Sequence, residues 1–251
     1  MEWFHLNHMK AKADKFQLMY IGHAAVVEPP HLTLRNNEIV EASSSITVLG
    51  IELDYKLNFK NHVVNICTKT SKQLNALKRN RRLLNKDCKT IIHKTFISSN
   101  FNYSPIAWMF TSKYSINMLE RLNKRSLRFV TNDMISEYAD LCEGEGCLNI
   151  HRQLIKSVAI IMYKVKNEIA PSYVCELFTP KTSNYSLRNS DGYDLPKFNT
   201  ITFGRKSLRY YGPKLWNSIP IEPKQCNTLP TFKSSLTEWL VGIHTSELDF
   251  I

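Results

Sequence analysis

The sequence has 251 residues, 43% hydrophobic and 22% charged, and its 33 Lys and Arg outnumber 22 Asp and Glu, giving a net charge of +11. With 11% aromatic residues and few Gly and Pro, this composition excludes the collagen-like and disordered classes and predicts a globular chain. The longest apolar run, Val158–Tyr163, is too short to span a membrane, and Met1 is not followed by a basic and then apolar leader. Because the Cys residues form no dense framework, we expect a soluble, unexported, intracellular protein, in the nucleus or the cytoplasm.

The first part of the chain has the pattern of a mixed α/β fold. Trp3–Asp14 is predicted to form a short helix and Phe16–Ile21 a strand. Leu32–Leu34 and Glu38–Val40 flank Asn36 and Asn37, and Asn tolerates positive φ, so a hairpin is expected.

A second reversal is predicted at Gly50. Ile46 and Val48 share one parity, whereas Ile51 and Leu53 share the opposite one. Since side chains alternate between the two faces of a strand, the apolar face changes at this point. The pattern therefore indicates a bulge or a tight turn at Gly50.

After Asn58 the apolar period changes from two to about 3.6 residues, which is typical of amphipathic helices. Pro105 separates the second predicted helix from the third, Pro171 ends the fourth, and residues 181–223 are predicted to be largely irregular because they are rich in turn-forming residues. The stripe of the first helix is Val63, Ile66, Cys67, Thr70, Leu74, Leu77 and Leu84, and that of the second helix is Cys88, Ile91, Ile92, Thr95 and Phe96. The third helix begins at about Ser115, and its stripe is Ile116, Leu119, Leu122, Ser126, Phe129 and Val130. The fourth helix extends from His151 to Glu168 with the stripe Leu154, Val158, Ile161, Met162 and Val165, and a terminal helix extends from Thr228 to Val241 with the stripe Phe232, Leu236, Trp239 and Leu240.

These elements predict an α+β fold that is mainly α. A small strand-rich domain, residues 1–58, precedes a basic helical bundle, residues 59–135, and a mixed C-terminal domain follows, residues 136–251. The last domain would hold the long fourth helix, the irregular segment and the terminal helix.

The positive charge is concentrated between Lys60 and Arg128, where 15 basic residues face two acidic ones, Asp87 and Glu120. A surface of this kind attracts polyanions through counterion release, and phosphate is the abundant polyanionic group in cells. The alternative is a solvated helix face. We expect ten basic residues to contact the nucleic-acid backbone without reading the bases. They are Lys69, Lys72, Lys78, Arg79, Arg81, Arg82, Arg121, Lys124, Arg125 and Arg128.

The order of motifs resembles the downstream part of a jockey-like, LINE-type non-LTR retrotransposon reverse transcriptase, and the resemblance covers nearly the whole chain. The motifs that carry it are Asn7 with Asp14-Lys15-Phe16; Leu49-Gly50-Ile51-x-Leu53-Asp54 with Leu57, Phe59 and His62; Leu119-x-x-Leu122-x-x-Arg125-Ser126-Leu127-Arg128-Phe129; Ala170-Pro171-Ser172-Tyr173; Tyr185-x-Leu187-Arg188; Thr200-x-x-Phe203-Gly204; and Tyr211-Gly212-Pro213-Lys214-Leu215-Trp216-Asn217-Ser218-Ile219-Pro220 with Phe232-Lys233.

The resemblance implies a role for each domain. Residues 1–58 would be the end of the polymerase palm, with Leu49, Gly50 and Ile51 in the place of the primer-gripping turn. Residues 59–135 would be the helical thumb, which holds the template and primer, and residues 136–251 the family's C-terminal domain.

One departure from the family concerns catalysis. Polymerases of this family hold two metal ions with an Asp and an adjacent Asp pair, and this sequence has no two adjacent acidic residues. We therefore expect a truncated RNA-directed DNA polymerase without its own catalytic activity, cofactor, metal or small-molecule substrate, whose partner is RNA or DNA backbone.

Other interpretations stay open. Cys142, Cys147 and His151, with Cys175 or His93 as a fourth ligand, could bind zinc in a transposon-derived module, and such a module could instead bind proteins; an inert remnant is a third possibility.

Two further groups of side chains have both a functional and a structural interpretation. Glu52 and Asp54 share one strand face and are either a metal site or, as we favour, the polar side of a strand. Aromatic residues could stack on bases or fill the core, and the core is favoured for Trp108 and Trp216. These aromatic residues are Tyr103, Trp108, Phe203, Tyr210, Tyr211 and Trp216.

Overall fold

The computed structural model describes residues 6–8, 13–21, 31–34, 38–181 and 192–243. It is mainly helical, with 59% helix, 9% strand and two small antiparallel sheets, which confirms the predicted α+β, mainly α class. The chain forms two compact units, Met1–Asn65 and Ile66–Ile251. Within the described ranges, no helix is long and apolar enough to cross a membrane. The domain limits at residues 58 and 135 stay predictions.

The first unit contains two hairpin-like sheets. Strand β1, His31–Thr33, pairs antiparallel with β2, Ile39–Glu41, which confirms the predicted strand pair, while the turn at Asn36 and Asn37 lies outside the described residues. Strand β3, Ser45–Val48, pairs with β4, Ile51–Asp54.

The turn between β3 and β4 consists of Leu49 and Gly50. Val48 lies opposite Ile51 in the antiparallel register, so two residues connect the strands. Both have positive φ, 49° at Leu49 and 80° at Gly50, as turns that follow the strand twist require. The tight turn predicted at Gly50 is confirmed.

The predicted strand at Phe16–Ile21 is wrong. Only an isolated parallel bridge forms there, between Leu18 and Ala42. Apolar residues of high strand propensity form a ladder only where a partner strand runs alongside them, and Ala42 lies where β2 has already ended. The predicted helix at Trp3–Asp14 lies largely outside the described residues; Ala13–Lys15 forms one 3-10 turn.

The regular elements in the rest of the described chain are helices, apart from an isolated bridge between Pro180 and Tyr193. Helix α1 begins in the first unit and ends in the second. The helices are α1 Lys60–Arg79, α2 Lys86–Ile92, α3 Ser98–Asn102, α4 Pro105–Trp108, α5 Lys113–Thr131, α6 Tyr138–Gly144, α7 Ile150–Lys166, α8 Ser172–Cys175, α9 Leu208–Ser218, α10 Ile221–Lys224 and α11 Leu229–Gly242, with π-helical turns at His93–Ile97 and Ile201–Arg205.

Helix α7 is the centre of the second unit, and α5, α9 and α11 pack against it. Tyr163 of α7 stacks on Phe232 of α11, with ring centroids 4.3 Å apart. Trp108 and Trp216 are fully buried, which confirms their predicted place in the core. Trp108 also donates from Nε1 to the carbonyl oxygen of Tyr103, 3.2 Å away.

Four of the predicted stripes face the core. In α1 the helix ends at Arg79, so Leu84 lies beyond it, but the rest of the stripe is buried or half-buried. The stripes of α5, α7 and α11 are likewise buried or half-buried. These faces were predictable because uninterrupted apolar residues recur at helical spacing.

The buried face predicted for the second helix is wrong. Ile91 and Phe96 are exposed, whereas Lys89, His93 and Ile97 are buried against the neighbouring helix α5. Helix α5 and its end offer polar partners to this face, because Lys89 Nζ donates to Asn132 and His93 Nε2 is hydrogen-bonded to Ser126 Oγ. Buried polar groups are tolerated when they are hydrogen-bonded in this way.

The irregular segment predicted for residues 181–223 is also wrong in part, because α9 and α10 form there. Pro213 lies inside α9, and Gly212 approaches α7 so closely that a Cβ atom would lie 2.8 Å from Met162 Sδ. Burial of Tyr211, Leu215 and Trp216 outweighs the poor helix propensity of Gly and Pro.

Candidate nucleic-acid interface

A cleft of about 460 Å³ opens where the C-terminal end of α1 meets the C-terminal half of α5. The two helices are joined beside it by Arg125, whose Nη2 donates to Asn75 Oδ1 at 2.5 Å. The residues that line the cleft are Lys78, Arg81, Arg121, Lys124, Arg125, Arg128, Phe129, Asn132 and Met134.

The periodicity of α5 explains this arrangement. Arg121, Arg125 and Arg128 are separated by four and three residues, so they follow one another along one face of the helix. The opposite side of α5 carries its buried apolar residues. A helix that buries its apolar stripe in the bundle must therefore present this arginine row away from it.

The cleft brings together six of the ten cations that the sequence predicted as nucleic-acid contacts, namely Lys78, Arg81, Arg121, Lys124, Arg125 and Arg128. The other four do not line it. Lys69, Lys72, Arg79 and Arg82 are exposed to solvent. Because successive helical residues differ by about 100° in direction, Lys78 can face the cleft while Arg79 faces elsewhere.

Few acidic groups offset this charge. Two acidic groups interact with these cations, Glu137, whose Oε2 lies 3.2 Å from Lys124 Nζ, and Asp133, which interacts with Arg128, and neither is among the lining residues. The hydrogen bond from Lys124 lowers the pKa of Glu137, and hydrogen bonds from Ser136 hold the pKa of Asp133 at about 2, so both are ionised. Burial, together with the charges of Arg125 and Arg81, lowers the pKa of Lys78.

Sequence reasoning missed several residues of the cleft. Phe129 was assigned to the core alone, and Asn132 and Met134 were not singled out. Lys89 was counted among the basic residues but not as part of a site; it is 4% exposed, and its Nζ donates to Asn132 Oδ1 at 2.9 Å and lies 5.5 Å from the centre of the Phe129 ring. No signal in the sequence marks Lys89, since an acidic residue, Asp87, lies two positions before it.

Glu120 fixes α5 relative to the two helices that follow it. Its Oε2 accepts from Tyr138 Oη at 2.5 Å and from the Ile150 amide at 3.1 Å, and its Oε1 accepts from the His151 amide at 2.9 Å. The latter two donors are amides of the first turn of α7, which have no carbonyl partner within the helix and which a carboxylate satisfies well. Burial raises the pKa of Glu120, and these hydrogen bonds act in the opposite direction.

The predicted primer-grip residues lie in the first unit. Leu49 and Gly50 form the β3–β4 turn and Ile51 begins β4, with Leu49 exposed and Ile51 buried. The neighbouring carboxylates make local hydrogen bonds. Asp54 accepts from the backbone amides of residues 56, 58 and 59 just before α1, and Glu52 Oε2 accepts from Asn65 Nδ2 at 2.7 Å. Both carboxylates therefore form the polar side of the strand, as we favoured, and hold the neighbouring backbone and side chain by hydrogen bonds.

The residues of the alternative zinc interpretation do not assemble into a site. Cys142 and Cys147 are neighbours, because the Cys147 amide donates to the Cys142 carbonyl oxygen at 2.9 Å. A hydrogen bond between their thiols raises the pKa of Cys142 and lowers that of Cys147. Across the described ranges, however, no group of three or more His, Cys, Asp or Glu side chains is placed to hold a metal ion. The zinc interpretation therefore gains no support from these residues.

Comparison with known proteins finds no family model, no curated protein and no solved structure that matches the chain.

Proposed function

We propose that this chain is a C-terminal fragment of a retrotransposon RNA-directed DNA polymerase that binds the backbone of RNA or DNA, in the nucleus or the cytoplasm, through the cleft between α1 and α5. The observation that carries this proposal is the convergence of six cations on one concave surface whose lining includes no carboxylate. The order of sequence motifs supports the family, and the charge of the cleft supports the ligand.

Phosphate is the ligand chemistry that fits this surface best. Arginine side chains donate to two phosphate oxygens at once, whereas lysine acts as a point charge, and the cleft contains both kinds. Such contacts bind any sequence with similar affinity, because the phosphates carry no base information. Binding should then weaken steeply with salt.

We do not expect polymerase activity from this chain. A two-metal site needs carboxylates held close together, and Glu52 and Asp54 are engaged with an Asn side chain and backbone amides. Primer extension on an RNA template with Mg²⁺ or Mn²⁺ tests this expectation. Extension above a heat-inactivated control, by protein free of other polymerases, would overturn it.

The binding proposal is tested by removing charge from the cleft without removing length. In the triple variant K78Q/R81Q/R121Q, affinity for a duplex should fall, and the plot of log affinity against log salt should flatten by up to about 0.9 for each lost contact with B-DNA. Gln keeps the helix propensity at Lys78 and Arg121, and Arg81 is exposed in the turn after α1, so the fold should be retained, which circular dichroism can check.

The matched control is K69Q/K72Q/R79Q, which removes the same charge from three predicted contacts outside the cleft. The loss of affinity in this control measures the effect of net charge alone, so it should be clearly smaller than the loss in the cleft variant K78Q/R81Q/R121Q. Equal losses in the two variants would show that the cleft has no special role. An unchanged affinity and salt slope in the cleft variant would refute the proposal.

A further inference from the structure

The loop that follows α5 exposes two large apolar side chains beside the cationic cleft. Met134 is 69% exposed and Ile135 is 92% exposed. Met134 lines the same cleft as the six cations, and Ile135 is the next residue along the loop. Contiguous exposed apolar groups with polar residues around them mark interaction sites.

Hydrogen bonds hold this loop in one conformation. Asp133 Oδ1 accepts from the amides of Ile135 at 2.8 Å and Ser136 at 3.0 Å, and its Oδ2 accepts from Ser136 Oγ at 2.5 Å. The far end is tied to α5 by the ion pair between Glu137 and Lys124. The two apolar side chains are thus presented by a fixed backbone, so a ligand would bind them with little loss of loop entropy.

We propose that Met134 and Ile135 contact the face of an unpaired base of the strand whose phosphates lie in the cleft. This inference rests on the proposed function, because the charge of the cleft identifies the ligand as a nucleic acid. It goes beyond backbone binding, since it predicts a preference for unstacked bases over a blunt duplex. Apolar side chains, Met and Ile among them, insert between bases in other nucleic-acid complexes, and every base has an apolar face.

An anionic membrane surface would also combine negative charge with apolar groups, but it fits this geometry less well. A membrane is flat on the scale of the protein, whereas the six cations line a concave cleft. A nucleic-acid strand can enter such a cleft with its phosphates and place a base at its rim. We therefore favour the strand.

The test uses the full chain and the variant M134S/I135S, called the tip variant because it changes the two exposed apolar side chains of the loop, here called the tip. The control is I169S, because Ile169 is 60% exposed and far along the chain from the cleft. Affinity is measured by fluorescence anisotropy for a single-stranded oligonucleotide, the same strand with abasic sites, and a blunt duplex. The tip variant should lose about fivefold or more in affinity for the intact strand, the size expected from lost apolar contact. It should lose little with the abasic strand, and its salt slope should be unchanged.

Three results would overturn the inference: equal losses on intact and abasic strands, an unchanged affinity of the tip variant, or a loss that the I169S control shares. Loss of binding to vesicles containing phosphatidylserine, with oligonucleotide affinity retained, would assign the tip to lipid instead. The charge variant K78Q/R81Q/R121Q separates the two proposals. If the charge variant loses affinity for the oligonucleotides while the tip variant does not, only the proposed base contact is wrong. If the charge variant loses no affinity, the proposed function itself fails.

Discussion

Glu120 is one carboxylate that joins three helices, since it lies on α5 and accepts hydrogen bonds from Tyr138 of α6 and from Ile150 and His151 at the start of α7. The substitution Glu120→Ala removes the acceptor of these three donors from the interior of the protein. We expect it to lower the free energy of unfolding by about 2–4 kcal/mol, measured by urea denaturation.

The control for this prediction is Tyr138→Phe, which leaves the carboxylate in place but removes the hydroxyl that donates to Glu120 and accepts from Asn123 Nδ2 at 2.7 Å. It should cost about 1–2 kcal/mol, because two hydrogen bonds are lost while the amides of α7 keep their acceptor. If Glu120→Ala costs no more than Tyr138→Phe, the capping of α7 by Glu120 contributes nothing to stability.

His93 gives the fold a dependence on pH. Burial lowers its pKa, while Asn123 and Glu145 act in the opposite direction and Lys94 adds to the lowering. The unfolded chain therefore binds the proton more tightly, so the stability contributed by neutral His93 is complete above its unfolded pKa and is lost as pH falls. The free energy of unfolding should fall as pH drops below about 6.5, the ordinary pKa of His.

The variant His93→Gln should make this pH dependence shallower, since Gln keeps a polar group near Ser126 but does not titrate in this range. The measurement is urea denaturation at several pH values on either side of neutrality. His62, whose pKa burial also lowers, contributes in the same direction, so some pH dependence should remain. An identical slope in the wild-type chain and His93→Gln would contradict the assignment.

The turn between β3 and β4 contains a residue poorly suited to its conformation. Leu49 has a φ of 49°, a region that is unfavourable for side chains other than Asn, Asp and Gly, and its side chain is 85% exposed. The substitution Leu49→Asn creates the preferred Asn-Gly turn. It should raise the free energy of unfolding by about 0.5–1 kcal/mol.

Chemical denaturation measures this gain, and Gly50→Ala provides the opposite change. Gly50 has a φ of 80°, so an added Cβ is strained there and should destabilise the hairpin. A neutral effect of both substitutions would mean that this turn is not formed with these dihedral angles in solution.

Helices α7 and α9 approach each other at Gly212. A Cβ atom at this position would lie 2.8 Å from Met162 Sδ and 3.1 Å from Phe178 Cε1, and both side chains are buried. Overpacking of this kind costs about 1–3 kcal/mol, which should exceed the gain of about 1 kcal/mol in helix propensity. Gly212→Ala should therefore lower the thermal unfolding midpoint.

Gly144 in α6 is the matched control, because no atom lies within 4 Å of a Cβ placed there. Gly144→Ala should leave the midpoint unchanged or raise it slightly through helix propensity. If the two variants behaved alike, the close contact at Gly212 would not be present in solution.

The elements of this fold were predictable where one signal dominated. The stripes of α1, α5, α7 and α11 follow a helical period over several turns, and the parity change at Gly50 requires the strand to turn or bulge there. Helix α9 was missed because Gly212 and Pro213 normally indicate a turn, and only their packing against α7 makes a helix there favourable. The buried face of α2 was mistaken because its polar residues find partners on α5 and at its C-terminal end, far along the chain.

At the scale of the whole molecule, counting charges located the basic segment but not the surface that it forms. Lys78 and Arg79 are adjacent cations, yet of the two only Lys78 lines the cleft. The difference depends on how α5 packs beside α1, which no local pattern specifies. Phe129 and Asn132 were likewise not predictable as lining residues, because their positions depend on this packing.

The clustering of like charges also affects stability. The six cations of the cleft repel one another, and the ion pairs found among the described residues are two, Lys86 with Glu145 and Lys124 with Glu137. Salt screens exposed charges over about 10 Å at 0.1 M. Sodium chloride should therefore weaken the repulsion among the cations more than it weakens the attraction within the ion pairs. The thermal unfolding midpoint should therefore rise with salt, and less so in K78Q/R81Q/R121Q. A midpoint that falls with salt would show that attraction dominates.

This repulsion connects the lifetime of the folded chain to its surroundings. A polyanion in the cleft would neutralise charges that otherwise oppose folding, and binding to the folded state alone adds stability in proportion to the logarithm of ligand concentration. Proteases in cells degrade mainly chains that have opened. Copies of the protein bound to nucleic acid would therefore persist, and unbound copies would be degraded first, so the amount of protein would follow the supply of its ligand.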